Sequence, residues 1–308
     1  LLATSLLTII YKNFNLGCFN NMKKKRCILC KRTQFVSVTH IGRNEIYECP
    51  HCELAITTKV TGTKTKLYRT TKFYSPKSAA ENVNKYTAKY ERVIERLSMF
   101  TSEGKVLDVG GGYGLFAALL SKQKSINVTA LEPNLKPIFL EKMKGIKWFK
   151  KTFSEFRGRK RTYSAITFLD VLEHFKDPAA ALHKSRELLK LSGYVVILVP
   201  NYKSTMRALS KNWPWWMVED HHFHFSRVSL KRILAQTGFR LKYLESFEDK
   251  KDFWLSLSGN YVKVKPAFVR KLLKALTLPV IFGIYLVMRP LLWKLYNGGL
   301  LLAIAQKK

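Results

Sequence analysis

Residues 105–120 read Lys105-Val-Leu-Asp108-Val-Gly110-Gly-Gly112-Tyr-Gly114-Leu-Phe-Ala-Ala-Leu-Leu120. Lys105 to Val109 is an apolar run of strand length, glycines crowd the turn behind it, and Leu115 to Leu120 opens an apolar helix. Glycine lets a backbone turn tightly and approach a ligand closely, and the amides at the start of the following helix face polar or negative groups. Upstream, Tyr90, Val93, Ile94 and Leu97 recur at helical spacing, so an amphipathic helix over Thr87 to Phe100 leads into this unit. Downstream, the strand Asn127 to Leu131 ends in Glu132, 22 residues after Gly110. An acidic side chain at that tip is placed to accept hydrogen bonds from both ribose hydroxyls of a nucleoside.

The alternation continues. Helix Pro137 to Lys144, strands Lys147 to Phe149 and Tyr163 to Leu169, helix Pro178 to Lys190 and strand Tyr194 to Pro200 follow in order. Alternating strands and helices predict an α/β fold with a doubly wound, mostly parallel sheet and a ligand at the carboxyl ends of its strands.

Three segments carry a family resemblance. Asp108 to Gly114 resembles the Asp-x-Gly-x-Gly-x-Gly loop of class I S-adenosylmethionine-dependent methyltransferases. Phe168-Leu-Asp170-Val-Leu-Glu-His174-Phe-Lys-Asp-Pro178 is similar to the segment after strand 4 in the ubiquinone-biosynthesis-like branch of that family. Asp220-His221-His222-Phe223-His224-Phe225-Ser226, with the helix Val228 to Gln236 after it, resembles that branch's histidine-containing loop. The likeness covers about residues 86–248 and implies a Rossmann-like methyltransferase sheet. A Rossmann dehydrogenase is the other reading of the glycine loop, but its Gly-x-Gly-x-x-Gly spacing differs from the alternate glycines behind Asp108.

The resemblance implies that Asp108, Gly110, Gly111, Gly112 and Gly114 line the methionine part of S-adenosylmethionine and that Glu132 holds the ribose. It puts Thr152 and Phe153 near the adenine, with Thr152 standing where many relatives carry an acidic residue, and Asp170 on the methyl side. Methyl transfer from a sulfonium is an in-line displacement, so the protein's main work is to align acceptor and methyl and to exclude water. A base matters only where the acceptor loses a proton, and a neutral imidazole suits a hydroxyl near pH 7. His221 is the first candidate, because it matches the family's loop histidine, and His174 the second; His222 and His224 are further candidates, and all four have a packing role as the alternative. Trp213, Trp215 and Trp216 in the same stretch read as the wall of an acceptor pocket, a membrane contact or plain core.

A second chemistry precedes this domain. Cys27-Ile-Leu-Cys30 and Cys49-Pro-His-Cys52 have the double Cys-x-x-Cys spacing of a four-thiolate zinc site, with strands Phe35 to His40 and Arg43 to Glu48 between them. Four thiolates close the coordination shell, so such an ion is structural. His51 reads as a neighbour of the site and not a ligand.

Lys and Arg number 54 against 21 Asp and Glu, a formal charge of +33 that attracts anionic partners. An anionic membrane surface leads and nucleic acid follows. Few cysteines, four of them in metal-type pairs, point to a reducing compartment. Lys263 to Lys274 is basic, Ala275 to Met288 is uncharged, and Arg289-Pro290 is expected to break the run before Leu291 to Ala305 resumes. A 14-residue apolar stretch is too short to span a bilayer, so interfacial or re-entrant helices at the inner membrane face are expected, with an amphipathic pair packed on the protein's own sheet or at a dimer interface as the alternative. The expected organisation is an uncertain extension over 1–21 with Met22 as a candidate start, a ribbon over 22–66, a linker over 67–85, the methyltransferase domain over 86–250 and a basic, apolar helical tail over 251–308. The leading functional reading is methyl transfer to a small or lipid-linked acceptor such as a quinone precursor, a glycolipid or a sugar. An RNA methyltransferase and a non-catalytic membrane scaffold are the alternatives.

Overall fold

A computed structural model describes residues 26–58, 76–134, 145–210, 213–248, 250–261 and 264–308. The candidate start Met22 and the helix expected over Pro137 to Lys144 lie outside the described residues. In chain order the elements are β1 (Val36–Ile41), β2 (Asn44–Cys49), β3 (Leu54–Thr57), α1 (Pro76–Ser98), β4 (Gly104–Val109), α2 (Leu115–Leu120), β5 (Ile126–Leu131), β6 (Lys147–Phe149) and β7 (Tyr163–Leu169). Then follow α3 (Pro178–Leu188), β8 (Leu189–Pro200), α4 (Thr205–Leu209), β9 (Phe223–His224), α5 (Arg227–Gln236), β10 (Phe239–Phe247), α6 (Lys250–Ser258), α7 (Ala267–Lys294) and β11 (Leu300–Lys307). The described residues divide into two compact units, one drawn from 76–199, 233–245 and 301–308, the other from 26–58, 200–232 and 246–300.

The first unit is built on a seven-stranded sheet in the order β10-β11-β8-β7-β4-β5-β6. The neighbours β8, β7, β4, β5 and β6 pair in parallel, as the alternating pattern requires. β4 sits between β5 and β7, and this explains its composition: Val106, Leu107 and Val109 are buried, a continuous run with no solvent face. α1 is fixed to β10 by a bidentate pair, in which Arg92 Nε and Nη2 donate to the two Glu245 carboxylate oxygens at 2.9 and 2.7 Å.

The second unit holds a four-stranded sheet, β1-β2-β3-β9. A metal ribbon of this size has almost no core of its own. Here β9 extends it: Ala55 and Ile56 of β3 pair antiparallel with His224 and Phe223. Ile46 and Ala55 then pack with Tyr202, Trp213, Trp216 and Val218 in one buried cluster, with Trp215 half-buried beside it. The tryptophans around Pro214 are thus core of the ribbon unit.

Three expectations need correcting. α1 begins at Pro76, inside the stretch read as a linker. Arg289-Pro290 does not end the apolar helix, which runs unbroken through Pro279 and Pro290 to Lys294. Pro290 lies in the helix's final turns, where it removes one backbone bond, and Leu292 just beyond it packs on the α6 cluster. Leu300 to Lys307, read as part of a helical tail, is a buried strand of the large sheet. Asn297-Gly298-Gly299 delivers it: a Cβ on Gly298 would lie 2.7 Å from the Phe247 amide nitrogen, so only glycine passes there.

Candidate active site

In the first unit the carboxyl ends of β4, β5 and β7 carry the candidate residues. Gly110, Gly112 and Gly114 have φ of 75°, 53° and 81°, the left-handed region that glycine enters freely. Gly110 is doubly constrained, because a Cβ there would meet Val171 Cγ2 at 2.6 Å. A Cβ on Gly111 would lie 3.1 Å from the Trp148 ring. The loop is a backbone surface that side chains would fill.

Glu132, at the tip of β5, is buried and braces this loop. Its Oε2 accepts from the Gly112 amide at 3.0 Å and its Oε1 from the Asn134 amide at 2.8 Å. Asp108, on β4, is 2% exposed. Its Oδ1 accepts from Thr167 Oγ1 at 2.7 Å, and its Oδ2 has no hydrogen-bond partner among the described residues. Burial lifts the Asp108 carboxyl to about 7; the Thr167 hydroxyl opposes the rise and the Glu132 charge adds to it. A buried carboxylate oxygen left open is costly unless a ligand completes it. The Trp148 Nε1 donor is likewise buried without a partner among the described residues.

Asp170 follows β7 with φ 56°, a strained position for a residue with a side chain. Its Oδ2 lies 2.5 Å from the ammonium of Lys89, whose side chain is 4% exposed. Burial pulls the Lys89 pKa down, but Asp170 and Tyr90 outweigh it and hold the amine above its ordinary range. The ammonium also sits 4.5 Å from the centre of the Tyr86 ring. His174 closes the short helical turn Leu172–His174 and is half-buried. Glu173 beside it is buried, and burial followed by the Asp170 charge pushes its carboxyl well up.

Thr152 is half-buried, and its hydroxyl donates to Glu155 Oε2 at 2.7 Å while its amide donates to the same oxygen at 2.9 Å. The Phe153 ring is spent on packing, edge-on to Phe168 and Phe175, and the Lys184 ammonium donates to its carbonyl. Lys89, Thr167, Trp148 and Glu155 were not singled out from sequence. Only Glu155 carried a local signal there, as the fourth residue of a Thr-x-x-Glu capping pattern.

The second unit holds His221 and the four cysteines. His221 is buried, its amide donates to the Met217 carbonyl at 2.8 Å, and its ring centre lies 6.0 Å from that of His224. His224 is structural: its Nε2 pairs with Thr57 Oγ1 at 2.9 Å, and burial, with Arg207 adding, lowers its pKa to about 3. The Sγ atoms of Cys27, Cys30, Cys49 and Cys52 all lie within 4.8 Å of one another. A tetrahedral zinc–thiolate site has sulfurs about 3.8 Å apart, so the donor set fits one closed four-coordinate ion. The two halves match in backbone as well. Lys31 and Glu53, each one residue past the second cysteine of its pair, are left-handed at φ 63° and 51°. His51 stands apart from the sulfurs, with Arg232 3.3 Å from its ring nitrogen.

A family model described as a methyltransferase domain matches residues 81–244. Over 116 residues, 35% of the chain, the sequence is 31% identical to the ubiquinone biosynthesis O-methyltransferase of Erwinia tasmaniensis. Over the same length it is 28% identical to the enzyme of that name from Salmonella paratyphi A. The match spans 45% of each of these relatives' own length. Among solved structures, a chain of the complex between the Haloferax volcanii Trm112 methyltransferase activator and a methyltransferase aligns with TM-score 0.50 at 14% identity. That alignment covers 74% of this chain and 95% of the other, a likeness of fold.

Proposed function

The chain belongs to the methyltransferase family, and from that membership we propose that it transfers the methyl group of S-adenosylmethionine to a small or lipid-linked acceptor, with a phenolic quinone precursor as the leading candidate. One observation carries the reading. A buried carboxylate, Asp108, has one oxygen open beside a left-handed glycine loop that Glu132 braces, and this suits a ligand with a cationic amino-acid end and a ribose.

In this reading Asp108 and the backbone of Gly110, Gly111, Gly112 and Gly114 hold the methionine part, and Glu132 takes the ribose hydroxyls. The backbone at Thr152 and Phe153 borders the adenine, with Glu155 supplying the carboxylate that position 152 lacks. Asp170, locked by Lys89, faces the methyl side. When bound, S-adenosylmethionine supplies a sulfonium-activated methyl group. A phenolic acceptor must lose its proton, and a neutral histidine can take it. His174 is a candidate because its turn starts directly after Asp170 and Val171, and His221 because of its place in the family's loop. A structural zinc ion in the Cys27, Cys30, Cys49, Cys52 set would stabilise the ribbon and leave no coordination position for chemistry. The names of the curated relatives support an oxygen acceptor.

RNA is the second reading, favoured by the charge of +33. The test is to incubate the zinc-loaded chain with methyl-tritiated S-adenosylmethionine and, in parallel, a dihydroxybenzoate, a total lipid extract and total RNA. Label in the phenol or lipid fraction, lost in Glu132→Ala, is the expected result. Label in RNA alone would replace the acceptor class, and cofactor binding without turnover on any acceptor would make the chain a scaffold.

A further inference from the structure

We infer that α7 lies in the plane of an anionic bilayer surface, embedded along its length and not crossing the membrane. The helix has 28 residues, is long and apolar enough to span, and has only 11% of its most apolar window buried. At 1.5 Å per residue it is about 42 Å long, more than a hydrocarbon core needs. Chain connectivity nevertheless excludes a crossing. β10 precedes α6 and α7, β11 follows them, and β10 and β11 are hydrogen-bonded neighbours in one sheet. The chain therefore enters and leaves α7 on the same side of any bilayer.

The helix is two-faced. Leu278 and Tyr285 are buried against Phe253, Leu257 and Met206, with Phe282 half-buried among them. On the other side Phe268, Leu272, Leu276, Val280, Ile284 and Val287 follow one another at intervals of four or three, each more than half exposed. An unbroken apolar stripe of this length is far outside what a soluble surface carries singly.

Charge selects the occupant. No Asp or Glu follows Asp252. Arg270, Lys271 and Lys274 stand in the first turns of α7, Arg289 and Lys294 in the last, and the middle is uncharged. Cations at both ends of an apolar stripe match an anionic head-group layer above acyl chains. They would repel a second copy of the same helix laid alongside in parallel. This inference stands apart from the methyl-transfer reading, because none of its residues belongs to the glycine-loop site.

Vesicle flotation of the full chain tests it. The chain is expected to float with vesicles of equal parts phosphatidylcholine and phosphatidylglycerol and only weakly with phosphatidylcholine alone, with binding reduced by salt. Val280→Asp with Val287→Asp, at positions 61% and 80% exposed, should cut partitioning at least about tenfold. Leu191→Asp, the same change at an exposed apolar position of β8, should leave it unchanged. Lys271→Ala with Lys274→Ala should shift binding to higher anionic lipid content. External protease should remove tags before Arg26 and after Lys308 alike. Binding that survives the stripe variants, protection of one tag, or a lipid-free dimer that Val287→Asp splits would each overturn the inference.

Discussion

The glycine turn after β4 and the two cysteine turns of the ribbon solve the same backbone problem differently. Both need left-handed residues. At Gly110, Gly112 and Gly114 the sequence supplies glycine, which enters this region without steric cost, and Glu132 braces the turn through the Gly112 amide. At Lys31 and Glu53 it supplies residues with side chains, each held in a conformation that costs on the order of 1–3 kcal/mol. Backbone bonds close both cysteine turns, from the Lys31 amide to the Cys27 carbonyl at 2.9 Å and from the Glu53 amide to the Cys49 carbonyl at 2.8 Å, and the four converging thiolates form a donor set that a metal ion would tie together. In the proposed reading the first turn is preorganised for a ligand that comes and goes, and the second would be tied together by a metal ion that stays.

The sharpest way to break this comparison is Cys49→Ser. Structural zinc contributes on the order of 10 kcal/mol to small ribbons, so amide protection in β2 and β3 should collapse while that of Val106 to Val109 persists. Equal protection in both mutant and parent would mean that the cluster around Trp213 and Trp216 holds the ribbon alone. Next in size is Asp170→Asn, which leaves the Lys89 ammonium buried without its counter-charge. A loss of about 3–5 kcal/mol in denaturant unfolding is expected, and Lys89→Met, which removes the charge, should cost less.

The two units should also answer pH in opposite directions. His224 has a folded pKa of about 3 against an ordinary 6.5, so the unfolded chain takes up the proton first. The ribbon unit should therefore gain stability as pH rises from about 3 to 6.5, and His224→Gln should flatten that slope. Asp108 has a folded pKa of about 7 against an ordinary 3.8, so the folded chain holds the proton. Its contribution is fully present below 3.8 and is lost as pH rises to about 7, and Asp108→Asn should remove the decline. Hydrogen exchange at β9 and β4 across this range would show whether the slopes diverge. The smallest effect is expected for Glu155→Ala: an exposed carboxylate screened by water should alter cofactor affinity by less than about twofold.

How far the sequence could be read depended on range. Strands Tyr163–Leu169 and Lys147–Phe149 and helix Leu115–Leu120 match their sequence boundaries, because their apolar runs and breakers are local. The β11 strand was missed. Leu300-Leu-Leu-Ala-Ile-Ala has a single β-branched residue, Ile304, among leucines and alanines that suit a helix equally well, and its place between β8 and β10 is set by contacts far away in sequence. Proline misled at 290, where the helix tolerates it within a few residues of its end. In the site, Asp108, Glu132 and the glycines could be read from one motif and one spacing. Lys89 could not: nothing around it announces that a lysine on α1 will lie against the residue after β7. His224 belongs to the same class, since its partner Thr57 is 167 positions away.

On the proposed reading, the Asp108 and glycine-loop surface binds S-adenosylmethionine. Calorimetric titration of the zinc-loaded chain with S-adenosylmethionine and S-adenosylhomocysteine, with Glu132→Ala beside it, tests that claim directly. Micromolar binding of both ligands, lost in the variant, is the expected result. Absence of binding by folded, zinc-loaded protein would contradict it and leave the open oxygen of Asp108 to some other ligand.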